Sequence, residues 1–391
     1  MRETRTDFGA SVVPLFGLTE RDAAERAIML EFPQPTIHAA PEFVLDLSGR
    51  MLPPCGMWGV PRENHGTALL EVDDALLVGS NLVVRRDGEW HCESMLHRDH
   101  VVAFYGSPTF DAVYPGKKPG IRVLGAEAVL NLSEMAPEDY LYLDEPVLLA
   151  TAGEPDNWGR WIVQVLPKLV HFARTYQAGP LLCRMDKPWQ WKIAAHLGIP
   201  PDAIVPHDPG RSYRCAQVSL LQHTSADGTV STQEHALFQG LADAACRDGA
   251  PGHERIFVSR LGASRRQPDY RALRDEEALI AALQSLGFVA IEPETLSLTE
   301  QIQAFARARV VIGLGGAGMF NVAFCRPGTK LVTIEATDHF ILGHSGIFSS
   351  LGLRYGVIYG CAERTAENAD NPHAPWTLDV ARAVAAIRDF I

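Results

Sequence analysis

The run Val310-Val311-Ile312-Gly313-Leu314-Gly315-Gly316-Ala317-Gly318-Met319-Phe320-Asn321 constrains the fold of this chain more than any other segment. Apolar β-branched residues make a strand. The glycines then turn the chain into a helix whose first backbone N–H groups stand bare at the sheet edge, a site for phosphate or another anion. A Pro327-Gly328 turn follows, and after it the apolar run Leu331-Val332-Thr333-Ile334 ending in Glu335. This second strand brings a carboxylate to the same edge, where open α/β sheets bind nucleotides and an acid takes the ribose hydroxyls. The pattern predicts a nucleotide-handling α/β protein.

The spacing Gly313-x-Gly315-x-x-Gly318 also spells a dinucleotide fingerprint, with Glu335 near the place of its ribose-binding acid. Such a fingerprint opens a full crossover helix, whereas about two turns fit between Ala317 and the break at Arg326-Pro327-Gly328. The context argues against a classical NAD site and leaves an NAD-dependent oxidoreductase as a rival.

A chain of 391 residues predicts two or three domains, and 47% hydrophobic content supplies their cores. The net charge of -12, from 47 acidic and 35 basic residues, disfavours nucleic acid and anionic membrane as partners. An anionic ligand therefore needs a local basic site. Seven single cysteines without a Cys-x-x-Cys give neither a disulfide framework nor a structural zinc site and point to a reducing compartment. The charged start Met1-Arg2-Glu3-Thr4-Arg5-Thr6-Asp7 is not a secretory signal, and no apolar run is long enough to span a membrane. A cytoplasmic location is expected.

Residues 1–130 read as a β-rich N-terminal region after one early helix, Glu20 to Leu30, capped by Thr19. Strands are expected over Leu69–Val78 and Asn81–Trp90, the latter holding an Asp87-Gly88 turn. Residues 131–250 read as a first α/β domain, with strand Val147–Ala150 and a helix from Asn157 to Tyr176 that Pro167 kinks. The link to a second domain is placed at 248–254. Residues 251–375 read as that second α/β domain, with three successive βα units and a Ser297-x-x-Glu300 capping box. Residues 376–391 carry an amphipathic helix expected to cross back to the first domain.

Six arginines, Arg255, Arg260, Arg265, Arg266, Arg271 and Arg274, fall within twenty residues after the second domain begins. Guanidinium groups fork onto phosphate oxygens, and Arg260 and Arg265, nearest the strand end, are favoured as diphosphate ligands over members of a solvated helix face. No Asp-x-Asp is present to hold a metal diphosphate. Arginines and helix N–H groups offer a metal-independent alternative. His97, His100 and Cys92 lack a fourth metal ligand at standard spacing, and Gly343-His344-Ser345-Gly346 lacks the register of a serine nucleophile elbow.

An ordered set of blocks resembles glycosyltransferase family 61, the proteins similar to those of capsular polysaccharide biosynthesis. The blocks are Asn157-Trp158-Gly159-Arg160-Trp161 through Leu166-Pro167-Lys168-Leu169, and Ile256-Phe257-Val258-Ser259-Arg260 with Arg265 and Arg266. Asp275-Glu276, Gly287-Phe288, Leu296 to Gln301, the glycine turn with Asn321, and Pro327-Gly328-Thr329 with Glu335 complete the set. The resemblance implies a GT-B-like pair of Rossmann-type domains, here with a β-rich N-terminal extension. It also implies inverting transfer from a nucleotide sugar, commonly UDP-linked, to a glycan or small-molecule acceptor, with no metal and no cofactor. The family pattern carries a histidine where this chain has Arg160 and another where it has Gly315. Those two departures make a catalytically inactive or repurposed relative the nearest rival.

Inverting sugar transfer needs a base for the acceptor proton and groups that stabilise the leaving diphosphate. Arg260 and Arg265 are assigned the diphosphate, Gly315, Gly316, Ala317 and Gly318 the backbone contact, and Glu335 the ribose. Asn321 is expected to hold the turn. The base is expected from the first domain, with Asp156 the candidate and an N-cap its structural alternative. Arg160 is assigned to donor or acceptor, because arginine stays protonated.

Overall fold

In the computed structural model, the described residues are 12–14, 27–32, 34–49, 58–63, 66–79, 81–85, 90–92, 121–124, 127–131, 140–152, 156–222, 228–247, 249, 252–336, 341–363 and 373–391. They divide into two compact units, drawn from Met1–Pro33 with His65–Ala226 and from Gln34–Asn64 with Asp227–Ile391. Both are mixed α/β, in keeping with the expected class.

The first unit is built on a nine-stranded sheet. Strand Val147–Ala150 runs parallel between Leu181–Cys183 and Ser212–Gln222, and Ile204–Pro206 continues the parallel set. All four residues of Val147–Ala150 are buried, as a strand covered on both faces requires. The long strand Thr67–Val78 pairs antiparallel with Ser212–Gln222, so it belongs to the same sheet. The hairpin partners Leu82–Val84 and Trp90–Cys92 extend it, with the turn residues 87 and 88 outside the described residues.

The separate β-rich extension over 1–130 is therefore corrected. Its described strands divide among several sheets: Thr67–Val78 completes the first unit's large sheet and Phe43–Asp46 adds a parallel strand to the second's, while Val12–Pro14, Ile121–Leu124 and Glu127–Asn131 pair in a three-stranded antiparallel sheet and Pro35–Ile37 pairs with Pro61–Glu63. The early helix is corrected in part as well. Ala27–Glu31 is a strand on Thr67–Val78, while residues 15–26 lie outside the described residues.

The helix after Asn157 shows what Pro167 does. Trp158–Arg160 is α-helical, Trp161–Val165 is a π-turn, and Leu166–Arg174 is α-helical again. Proline has no N–H, and its ring opposes the carbonyl four residues back. The widened turn, closed by the Leu166 N–H donating to the Trp161 carbonyl, takes up that conflict without ending the helix. Trp161, Ile162, Val165 and Leu169 are buried, as are the residues between them.

The second unit is a six-stranded parallel sheet in the order Val289–Ile291, Arg255–Val258, Val310–Leu314, Lys330–Glu335, Arg354–Tyr359, Phe43–Asp46. The chain moves outward from Arg255–Val258 to Val289–Ile291 and then returns to Val310–Leu314 on the other side. The carboxyl ends of Arg255–Val258 and Val310–Leu314 thus flank the topological switch point, where open parallel sheets bind ligands. Phe257, Ile312, Val332, Ile334 and Ile358 form the centre of the core beneath it.

The boundary between units falls at Ala226 and Asp227, not at 248–254. Helix Thr232–Ala245 packs on helix Leu298–Arg307 and on the 3₁₀ helix Ala317–Phe324, with Phe238 edge-on to Phe324 at 5.8 Å. The last helix, Val380–Phe390, is corrected too. It buries Ala383, Val384 and Ile387 in the second unit's own core, and Lys330 Nζ donates to the Phe390 carbonyl at 2.8 Å. Its apolar stripe finds its partner beside helix Glu276–Gln284, so it remains with the sheet that precedes it in the chain.

His207, buried after strand Ile204–Pro206, supplies a pH dependence. Burial holds its pKa down to about 4, and the Arg184 charge acts in the same direction. The folded first unit thus binds this proton less tightly than the unfolded chain does. The contribution is present above the ordinary histidine range and is lost as pH falls from about 6.5 toward 4. Between pH 7 and 4.5 the loss is about 2.5 kcal/mol. Denaturant unfolding at the two pH values should show this loss in the wild type and a loss smaller by about that amount in His207→Gln. Equal losses would show that His207 is not the group responsible.

Candidate functional site

Four segments meet at the switch point: the Ser259-Arg260 strand end, the glycine turn, the end of Lys330–Glu335 and the loop at Arg271. The first is fixed by Glu276. This carboxylate is buried at the first turn of helix Glu276–Gln284, and its Oε1 accepts from Ser259 Oγ and from the Arg260 N–H, both at 2.7 Å. The Leu261 N–H donates to Ser259 Oγ at 3.0 Å. Burial pushes the Glu276 carboxyl up, against those hydrogen bonds, which favour its ionised form. Glu276 is therefore the clamp that sets the direction in which Arg260 leaves the strand.

The two central glycines make room for two charged side chains. A Cβ on Gly315 would overlap the Glu335 carboxylate, and a Cβ on Gly316 would overlap the Arg260 guanidinium. The Gly316 backbone is extended, at φ 161°, so the requirement there is space rather than an unusual backbone conformation. Arg260 lies against the turn as expected, and its Nε is buried with no hydrogen-bond partner among the described residues. Ala317 and Gly318 open the 3₁₀ helix Ala317–Phe324, whose first N–H groups lie at this edge. Asn321 is buried, and its Nδ2 donates to Gln301 Oε1 at 3.0 Å and to the Gly318 carbonyl at 3.1 Å.

Glu335 does not stand open at the edge. It is 1% exposed, its Oε1 accepts from Thr333 Oγ1 at 2.8 Å, and His344 Nδ1 lies 3.6 Å away. Its Oε2 is 3.9 Å from Arg271 Nη2. The absent side chain of Gly315 is what lets the carboxylate fold inward. Arg265 is not brought to the turn. The short helix Leu261–Arg266 carries it to the surface, 66% exposed and paired with Glu277 at 3.0 Å.

Arg271 takes the place expected of Arg265. Its Nη2 donates to the Gly315 carbonyl at 2.8 Å, and its backbone is left-handed at φ 55°. The strained conformation turns the side chain back toward the sheet edge. Sequence reasoning included Arg271 in the arginine cluster but ranked it by distance from the strand end. It missed His344, which lies on helix Ile341–Ser350 edge-on to Phe320 at 5.0 Å. Residues 343–346, which lack the register of a serine nucleophile elbow, lie within that helix.

In the first unit, Asp156 and Arg160 follow the carboxyl end of Val147–Ala150. Asn157, not Asp156, caps the helix, accepting from the Gly159 and Arg160 N–H groups at 2.9 and 3.3 Å. Asp156 is 49% exposed and pairs with Arg184 at 3.3 Å, and Arg184 also donates to Asp186 at 2.6 Å. Trp189 stands edge-on to both Trp158 and Trp161 at 5.0 Å. His97 and His100 lie outside the described residues. Among the described residues no three His, Cys, Asp or Glu side chains converge as metal ligands, and no helix is long and apolar enough to cross a membrane.

Overpacking the turn tests this geometry. Gly315→Ala should cost about 1 to 3 kcal/mol by displacing Glu335, read as a lowered midpoint in thermal unfolding. An unchanged midpoint would mean that the carboxylate has another place to go.

Comparison with known proteins matches residues 158–332 to the family model Glycosyltransferase 61. The matched segment runs from the Trp158 helix through the glycine turn and into strand Lys330–Glu335, and the sequence resemblance is borne out over it. The match supports glycosyltransferase activity in general, and with it a sugar donor and an acceptor. No curated protein matches the chain.

Proposed function

With residues 158–332 matched to glycosyltransferase family 61 as the premise, we propose that this protein is an inverting, metal-independent glycosyltransferase. It uses a nucleotide-sugar donor, by resemblance a UDP-sugar, on a pair of GT-B-like domains. The observation that carries the proposal is Arg260, whose guanidinium rests on Gly316 at the switch point with a buried, unpartnered Nε. A cationic donor group held there is suited to a diphosphate, and Arg271, anchored on the Gly315 carbonyl, adds a second guanidinium to the same turn.

In this reading the bond between the anomeric carbon and the diphosphate oxygen breaks, and the nucleoside diphosphate leaves with that electron pair. The acceptor oxygen bonds to the anomeric carbon from the opposite face and gives its proton to Asp156. Arg260, Arg271 and the N–H groups at Ala317 and Gly318 stabilise the charge that grows on the leaving group. Glu335 acts from beneath the turn, holding Arg271 through charge. Arg160 is assigned to the acceptor, one helical turn from the Asn157 cap.

Calorimetric titration with UDP, GDP, dTDP, CMP and NAD, with and without a chelator, tests the donor class. Chelator-insensitive binding of one nucleoside diphosphate is expected, and Arg260→Ala should lower kcat/KM for the matching sugar nucleotide by about 100-fold or more. Normal turnover by that variant would remove Arg260 from the diphosphate site. Binding of NAD alone would replace the transferase with an oxidoreductase.

A further inference from the structure

Beside the glycine turn the second unit displays a stacked aromatic pair that its core does not use. Tyr270 is 44% exposed, and its ring stacks on His373 with centroids 5.0 Å apart and planes 19° apart. Large exposed aromatics cost solvation without adding to the core, and a stack of this kind offers a flat face to another ring. The pair is also rigidly mounted. The Arg271 N–H donates to the His373 carbonyl at 2.8 Å, the Trp376 N–H to the Ala272 carbonyl at 3.0 Å, and the Arg274 N–H to the Trp376 carbonyl at 2.9 Å. Trp376 itself is buried in the core, and its Nε1 donates to the Arg271 carbonyl at 3.1 Å.

Arg271 connects this platform to the turn. It directly follows Tyr270, and its left-handed backbone separates the two side chains, leaving Tyr270 at the surface while the Arg271 guanidinium reaches the Gly315 carbonyl. Two adjacent residues thus supply an exposed ring and a guanidinium that reaches the glycine turn. A nucleoside diphosphate has the same layout, a flat base at one end and a charged group at the other.

We infer that Tyr270, backed by His373, is the platform on which the nucleobase of the donor stacks, with Arg271 tying base recognition to diphosphate recognition. The inference rests on the transferase reading and adds the residue that distinguishes a nucleotide from a bare diphosphate. Stacking on an aromatic face tolerates any base, so the platform supplies affinity, and the choice among bases falls to polar groups around it.

The test compares inorganic pyrophosphate with the nucleoside diphosphate that the wild type prefers, by calorimetry on the full chain. The wild type should bind the nucleotide more tightly than pyrophosphate. Tyr270→Ala should weaken the nucleotide by about ten-fold or more while pyrophosphate binding persists, which also reports an intact turn. His373→Ala should show a smaller loss of the same selectivity. Equal nucleotide affinity in the wild type and Tyr270→Ala would overturn the platform and leave the transferase standing, as would a parallel loss of nucleotide and pyrophosphate. Failure of the wild type to bind any nucleoside diphosphate would remove both.

Discussion

A carboxylate buried beneath a glycine turn is expensive unless its charge is met, and the arrangement around Glu335 follows from meeting it. Thr333, two residues earlier on the same strand and on the same face, supplies a hydroxyl donor. Arg271 and His344 approach from two other segments, at 3.9 and 3.6 Å. Gly315 must then have no side chain, because the carboxylate fills the space that a Cβ would take. The loop carrying Arg271 must double back, which its left-handed backbone accomplishes and the Trp376 hydrogen bonds hold in place. One buried charge therefore accounts for a glycine, a strained arginine and the clip formed by residues 373–376.

The second unit is the more legible part of the sequence because its four central strands, Arg255–Val258, Val310–Leu314, Lys330–Glu335 and Arg354–Tyr359, are largely buried apolar runs. Parallel strands covered on both faces leave no ambiguity of period. Its caps were equally plain, and Ser297 and Glu300 bond each other's backbone as their spacing predicts. The N-terminal region was less legible for a different reason. Thr67–Val78 and Phe43–Asp46 look like members of one β-rich domain, but their partners, Ser212–Gln222 and Arg354–Tyr359, lie far along the chain. Nothing local in a strand records which distant edge it will join.

The site shows the same limit at the level of single side chains. Arg260 could be read from the strand end because a residue at that position has one exit, and Glu276 fixes it. Arg265 and Arg271 are both arginines of one cluster, and distance along the chain favours Arg265. A short helix turns Arg265 outward, while a left-handed residue in a loop turns Arg271 inward. Left-handed backbone at an arginine has no sequence signature, so proximity along the chain does not show that Arg271, and not Arg265, reaches the turn. Asp156 and Asn157 pose a smaller version of the problem, since both are good caps and only the helix start decides between them.

The glycine spacing that mimics a dinucleotide fingerprint has an explanation that needs no dinucleotide. A Cβ on Gly313 would run into Met319 and Val258, one on Gly315 into Glu335, and one on Gly316 into Arg260. Gly318 lies 3.4 and 3.5 Å, measured from its would-be Cβ, from Val258 and Pro293. Four glycines answer to four different sets of neighbours, and Gly316, which holds no place in the fingerprint, is the one beside the cation. In a dinucleotide site the second glycine leaves space for pyrophosphate to approach the backbone. Here that space, at Gly315, already holds a negative charge from the protein itself. In the proposed donor site an anion is therefore drawn to the Gly316 side, where Arg260 Nε is buried with no hydrogen-bond partner among the described residues. On that proposal the same sequence pattern places its ligand one residue further along the turn, on a guanidinium instead of on bare backbone alone.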